Sequence, residues 1–383
     1  MTADLYTDFR ELRSGDGWRI GARGMTEYYR YQDCADILRD PRWGKGEGLR
    51  RSEREGSRFR NSFMRQDPPE HTRLRGLVAK AFSPSVVAAL RPRIQQIADE
   101  LLDDLKPDTE VDLLSAYAYL LPVTVICELL GVPVEDRDRF GRWSAALARG
   151  EDDDEELTEE DRRRRRGASM RFREYFARLI EARRRKPGDD LLSRLIEIRD
   201  QGDRLDDPDL QATCVLLLFA GHETTVNLIT MGTHALLRHP DQLAMVRSER
   251  AAELSWVDEL LRYESPVQIA SRAALEDLDH RGRTYRKGDM VLLMLGSANR
   301  DPDVFPDPER LDVTRPNVRH IALGLGIHFC LGAPLVRLEG EIAMGTLLRR
   351  VPGLALAETA PTYRSNRSMR GLQQLMVHLG GKV

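Results

Sequence analysis

Apolar residues recur at helical spacing through most of this chain, and strand-like patterning is confined to short stretches towards its two ends. Near the start, "MTEYYRYQDCADILRDPRW" reads as a short strand running into a helix that Pro41 ends. "PEHTRLRGLVAKAF" and "VVAALRPRIQQIADELLDDL" carry the apolar stripe of amphipathic helices. Residues 112–131, "DLLSAYAYLLPVTVICELLG", are apolar enough for a buried helix, while Pro122 and the flanking charges argue against a membrane span. The longest predicted helix runs from Asp206 to His239 and is apolar through "CVLLLFAG". Beyond Arg272 the texture changes. "HRGRTYRKGDMVLLML" predicts a hairpin around a Lys-Gly turn, and "NRDPDVFPDPERLDVTRP" a proline-rich meander. A last helix is predicted over about Ala333–Val351. The pattern is mainly α with a minor β part. No linker-like break divides it, so one domain over residues 1–383 is expected.

Composition removes several function classes. The 59 basic and 62 acidic residues nearly balance, and a net charge of −3 gives no electrostatic footprint for nucleic acid or an anionic membrane. The opening "MTADLYTDFRELRSGDGW" has no apolar run, so neither a signal peptide nor stable membrane insertion is expected. Cys34, Cys127, Cys214 and Cys330 lie far apart without CxxC spacing, which argues against a disulfide scaffold or structural zinc and for a cytoplasmic setting. The charged run "EDDDEELTEEDRRRRR", residues 151–166, reads as a solvated loop feeding a helix rather than a docking site.

The candidate chemistry starts at "GLGIHFCLGAP", residues 324–334. A cysteine that only fills a core needs neither flanking glycines nor an adjacent histidine. Gly326 and Gly332 would let backbone N–H groups approach the Cys330 sulfur, and the helix that follows would aim its positive end at it. Such a loop suits a single thiolate ligand to a metal; alone, it would sooner be read as a turn with an inert cysteine.

The loop resembles the haem loop of the cytochrome P450 superfamily, Phe-x-x-Gly-x-Arg/His-x-Cys-x-Gly. Gly326, His328, Cys330 and Gly332 match it, and Leu323 stands where the family usually has phenylalanine. The resemblance implies the triangular helical fold of that family and makes Cys330 the axial thiolate of a haem b iron. It extends over nearly the whole chain, from about Tyr28 onwards, with motifs in the expected order. "FAGHETTVN" matches the family's acid–alcohol helix, so Glu223 and Thr224 are expected to deliver protons. Thr224 could bond back to the Ala220 carbonyl and open a notch, and Gly221 would let a flat cofactor or substrate approach the backbone. Glu259 and Arg262 in "DELLRYESPVQ" match the family's ExxR pair, which in isolation would be a surface pair worth little. Arg310 in "PDPERL" is expected to complete a buried Glu–Arg–Arg cluster, with Leu311 replacing another usual phenylalanine. His71 and Arg75, four apart in "DPPEHTRLR", together with Arg272 and His328, are implied as the haem propionate clamp.

The implied activity is a soluble bacterial-type monooxygenase that inserts one oxygen atom of O2 into a mostly apolar small molecule. Electrons would come ultimately from NAD(P)H through a ferredoxin reductase and a ferredoxin, the latter docking on the cysteine side with Arg337 among its contacts. Pocket positions are expected near Asn61–Met64, within 134–185, at Leu217 and Ala220, at Val267 and Ile269, and over Ser365–Met369. The substrate reading is a secondary metabolite, a polyketide or peptide product. Alternatives are a fatty acid, terpenoid or steroid hydroxylase, or a haem sensor or carrier without turnover.

Overall fold

The computed structural model describes residues 5–21, 24–46, 62–149, 158–200, 207–357 and 360–381. Its helices are α1 (Leu5–Ser14), α2 (Tyr31–Arg39), α3 (Glu70–Ala79), α4 (Pro84–Ala89), α5 (Arg91–Asp103), α6 (Leu120–Leu129), α7 (Arg137–Arg149), α8 (Glu159–Arg185), α9 (Leu191–Asp200), α10 (Asp207–Arg238), α11 (Pro240–Arg247), α12 (Trp256–Tyr263), α13 (Leu295–Ala298) and α14 (Ala333–Arg350). The strands are β1 (Trp18–Ile20), β2 (Thr26–Tyr28), β3 (Trp43–Gly44), β4 (Glu110–Asp112), β5 (Ile269–Ala274), β6 (Leu278–His280), β7 (Arg283–Tyr285), β8 (Met290–Met294), β9 (Ala355–Leu356) and β10 (Met376–His378).

Helix α10 organises the helical part because it is buried almost all round. It packs against α6, α8 and α14, and its most apolar window is 83% buried inside the protein. By length and composition it could cross a bilayer; its apolar faces are instead taken by neighbouring helices. The apolar stretch before Pro122 begins with a π-helical turn, in which Tyr119 N–H donates to Leu114 O at 2.9 Å. Pro122 sits in the first turn of α6, where its missing N–H leaves no intrahelical bond unmade. The stretch 86–105 divides into α4 and α5, and Pro92 opens the second of these. Of the charged run, Glu159–Arg166 forms the start of α8, capped by Thr158, whose Oγ1 accepts from the Asp161 N–H at 3.1 Å. Residues 151–157 and Asn61 lie outside the described residues.

The larger sheet has strand order β1-β2-β8-β5-β3, with β2 and β8 parallel and the other pairs antiparallel. The smaller sheet β4-β10-β9 joins a strand at Glu110–Asp112 to two strands near the C-terminus. The hairpin predicted at Lys-Gly is corrected here. Strands β6 and β7 pair through His280↔Arg283, so the two-residue turn is Arg281–Gly282, with φ of 50° and 75°. Lys287–Gly288 instead turns the chain into β8, which pairs with β5 and β2. Register then places Arg272 opposite Val291 and next to the β3 edge.

Candidate active site around Cys330

The cysteine loop is shaped by two glycines with positive φ, Gly324 at 71° and Gly326 at 69°. A Cβ on Gly326 would lie 2.3 Å from Leu38 O, so glycine is required there by the end of α2 and not by the sulfur. Among the two expected donors, Gly332 is the one that reaches Cys330 with its N–H. The loop closes on itself through Cys330 N–H to Leu323 O (2.9 Å) and Ala333 N–H to Cys330 O (3.3 Å), and α14 begins there. Burial pushes the Cys330 thiol up, opposed by the Gly332 N–H and the charges of Arg75 and Arg337. A cation that binds the sulfur therefore has to displace a proton.

The four implied anion-binding residues do come together beside this loop. The His71 and His328 rings lie 4.3 Å apart, and Arg75 Nη2 donates to Phe329 O at 2.6 Å. Arg272 is 4% exposed and donates from Nη1 to Ser271 O at 2.9 Å. Burial, reinforced by Arg272, His71, Lys45 and Arg75, pushes the His328 imidazole down to about 2. Burial likewise lowers Arg272 to about 10, with Asp67 opposing, and lowers His71, with Arg75 adding to the shift. Both ring nitrogens of His71 and Nε2 of His328 are buried without a hydrogen-bond partner. A site rich in cationic groups with orphaned ring nitrogens calls for an anion, and a dicarboxylate such as the propionate pair of haem fits it.

On α10 the Thr224 hydroxyl donates back to the Ala220 carbonyl at 3.3 Å, as expected, and the helix remains continuous. Ala220 is exposed in an otherwise buried run, one turn before Thr224. The expectation for Gly221 is corrected: a Cβ there would meet Ile126 Cδ1 at 2.9 Å, so this glycine serves close packing of α10 on α6. Glu223 is buried and ion-paired with Arg364, which also donates from Nε to Leu372 O at 2.9 Å. The sequence reading missed Arg364. The signal available was the buried carboxylate itself, which demands a cation from elsewhere in the chain.

The ExxR pair is fully buried. Arg262 donates from Nε and Nη2 to the two Glu259 oxygens at 2.7 and 2.8 Å, and both side chains are 0% exposed. Arg310 does not complete this cluster: its side chain is exposed, and only its carbonyl takes part, accepting from Arg262 Nη2 at 3.1 Å. The third member is Arg315, with Nε 3.3 Å from Glu259 Oε2. The meander turns its chain between these positions, so Asp312 N–H also reaches Glu259 Oε1 at 2.9 Å. Leu311 is 1% exposed and Leu323 packs against the main core, so both leucines fill the apolar space they face.

These features are those of a family. Residues 153–352 match the family model "Cytochrome P450". The chain is 42% identical over 363 residues to the polyketide biosynthesis cytochrome P450 PksS of Bacillus subtilis, covering 91% of this chain and 88% of that one. The chain belongs to the cytochrome P450 family.

This P450 is also 43% identical over 326 residues to the 6-deoxyerythronolide B hydroxylase of Saccharopolyspora erythraea, covering 84% of this chain and 79% of that protein. Its fold matches the crystal structure of P450BioI in complex with an acyl carrier protein bearing hexadec-9Z-enoic acid, with a TM-score of 0.90, 35% identity and 97% of each chain covered. It is a bacterial-type P450 monooxygenase with the P450 fold, and haem is the cofactor the family implies.

The candidate pocket residues divide. Leu217 is buried in the core, Ala220 is exposed beside it, and Val267 forms a bridge to Met369. Ile269 is corrected: it lines a separate cleft of about 350 Å³ under α1, with Leu5, Phe9, Leu12, Tyr29 and Met294. A second cleft of about 580 Å³ lies between α7, the start of α8, α10 and the segment 364–373. Its lining includes Ala146, Glu223, Asn227, Arg364 and Met369.

Proposed function

We propose that this P450 monooxygenase hydroxylates a polyketide-like secondary metabolite, with Cys330 as the thiolate ligand of haem b and His71, Arg75, Arg272 and His328 holding the propionates. The convergence of those four groups beside Cys330, with orphaned ring nitrogens, is the observation that carries the residue assignment. Haem held there supplies the redox chemistry that activates O2. The chain does the rest. The Gly332 N–H, with Arg75 and Arg337, favours the thiolate form of Cys330. The Thr224 hydroxyl can exchange its bond to Ala220 O for one to a water in the notch, and so pass a proton onward. Glu223, held by Arg364 at the wall of the larger cleft, is placed to take protons from solvent and hand them inward. A carrier or sensor without turnover has no use for that acid–alcohol pair.

The polyketide reading is supported by the names of PksS and the 6-deoxyerythronolide B hydroxylase. Fatty acid, terpenoid and steroid substrates are the other outcomes of a spectral-shift screen followed by mass spectrometry of products. Electrons come from NAD(P)H through a ferredoxin reductase and a ferredoxin that docks on the cysteine side. There Ile327 and Phe329 are 48% and 37% exposed, and Arg337 keeps 39% of its side chain in solvent while paired with Asp258. We place the enzyme in the cytoplasm, whose reducing conditions keep its four cysteines as thiols. The deciding experiment is the carbonyl complex of the reduced protein. It should show the thiolate-type band in the native chain and lose it in Cys330→Ser, and an unchanged band in that variant would assign the metal another ligand.

A further inference from the structure

Two adjacent acids on α12 face different neighbours. Glu259 belongs to the meander cluster, whereas Asp258 turns to the cysteine loop. Asp258 Oδ1 accepts from His320 Nε2 at 2.9 Å and from Arg337 Nε at 2.9 Å, and Arg337 Nη2 also lies 2.8 Å from it. His320 Nδ1 accepts from the Ala322 N–H at 3.2 Å, so Nε2 is the nitrogen that donates to Asp258. Arg337 Nη1 folds back to the Ala333 carbonyl at 3.4 Å. Ala333 N–H donates to Cys330 O, and Cys330 N–H donates to Leu323 O.

These contacts tie the segment before the cysteine and the helix after it to one carboxylate. His320 is 2% exposed in its side chain and Asp258 22%, so two of the three members are withdrawn from water. Burial raises the Asp258 carboxyl, but His320 and Arg337 outweigh it and hold it below the usual range, so the group is an anion at neutral pH. Its charge is opposite to that of Arg337, whose guanidinium is joined to the cysteine loop through the carbonyl of Ala333, the residue whose N–H bonds Cys330 O. Nothing in the acid–alcohol chemistry or the anion clamp uses this network.

We propose that Asp258 is a positioning residue for the metal-binding sulfur: it anchors both stems of the cysteine loop and, by pairing with Arg337, sets how much positive charge Cys330 feels. The inference rests on the reading of Cys330 as the haem ligand. An anionic carboxylate beside the guanidinium offsets its field at the sulfur. Removing the carboxylate charge leaves the guanidinium uncompensated, and removing the guanidinium leaves the thiolate without that support.

The test is the equilibrium reduction potential of the haem-loaded protein, with haem content and the reduced carbonyl spectrum recorded alongside. Asp258→Asn should shift the potential to more positive values, because an unopposed cation stabilises the added electron. Arg337→Gln should shift it to more negative values, and Arg337→Lys should restore the native value. A tie that is only structural would lower haem content in both variants without shifts of opposite sign. Shifts of the same sign, or none beyond measurement scatter, would overturn the proposal. Should Asp258→Asn hold no haem, the Arg337 pair decides: glutamine must lower the potential and lysine must restore it. A native protein without the thiolate-type band would overturn the Cys330 reading itself, before any variant is compared.

Discussion

Glu259–Arg262 and Glu223–Arg364 are both buried carboxylates paired with guanidinium groups, yet they are built for different ends. In the first, two parallel bonds join side chains that are 0% exposed, and Arg262 also donates to the carbonyls of Asn299, Pro308 and Arg310. Every donor is committed, so neither partner can leave without stranding a charge in the core. In the second, Glu223 is 7% exposed in its side chain, but Arg364 is 31% exposed and lines an open cleft. Arg364 can exchange its carboxylate for water. The same pair of functional groups makes a scaffold when both are sealed and, on the function proposed for Glu223, handles protons when one reaches solvent.

The largest expected effect breaks the sealed pair. Glu259→Ala should cost about 3–5 kcal/mol by leaving Arg262 an unpaired buried cation, and should yield little haem-loaded protein. Thermal unfolding and haem content check it, and a normal yield of loaded protein would return ExxR to an ordinary ion pair. Within the same cluster, Arg315→Ala should lose about 1–3 kcal/mol, because it strands part of the buried Glu259 carboxylate. Arg310→Ala should leave the melting temperature unchanged, since only its carbonyl is used. Comparable losses from both would mean the meander has a different third member.

The open pair and its neighbour should behave in the opposite way. Thr224→Ala should fold normally but consume reductant without matching product and release hydrogen peroxide. Unaltered coupling would remove the hydroxyl from the proton route. The smallest effect is a pH dependence of the apoprotein. The folded-state pKa values of His71 and His328 are depressed below the unfolded value of about 6.5. The stability they allow is therefore fully present above that pH and declines as the pH falls below it, continuing for His328 towards about 2. The haem-loaded protein should lose less between pH 7.5 and 5.5, because a bound dianion favours the protonated rings. Parallel melting curves for the two forms would place the anion elsewhere.

Much of this molecule was legible because its signals are local. The span of α10 follows from an apolar run that ends at polar flanks, and the start of α14 follows from "CLGAP". Cys330, His328, Glu259 and Arg262 were legible through the resemblance of their motifs to those of the family, because alone the loop could hold an inert cysteine and the pair could lie on the surface. Other assignments needed the fold. A turn can follow either Arg-Gly or Lys-Gly, and only the pairing of β8 with β5 selects Arg281–Gly282 for the hairpin. In a meander without regular periodicity, nothing local says whether Arg310 or Arg315 points inward.

By itself the sequence determined the helical class and, through its resemblance to the family, the order of the motifs and the cysteine proposed to hold the metal, since each depends on residue type within a few positions. Only the tertiary structure decided what the glycines are for: Gly221 admits Ile126, and Gly326 admits the carbonyl of Leu38. It also decided that Glu223 takes its cation from Arg364 and that Asp258 joins His320 to Arg337. Those partners lie tens to more than a hundred residues apart in the chain, and burial brings them together because a charge removed from water must meet its complement wherever the fold delivers it.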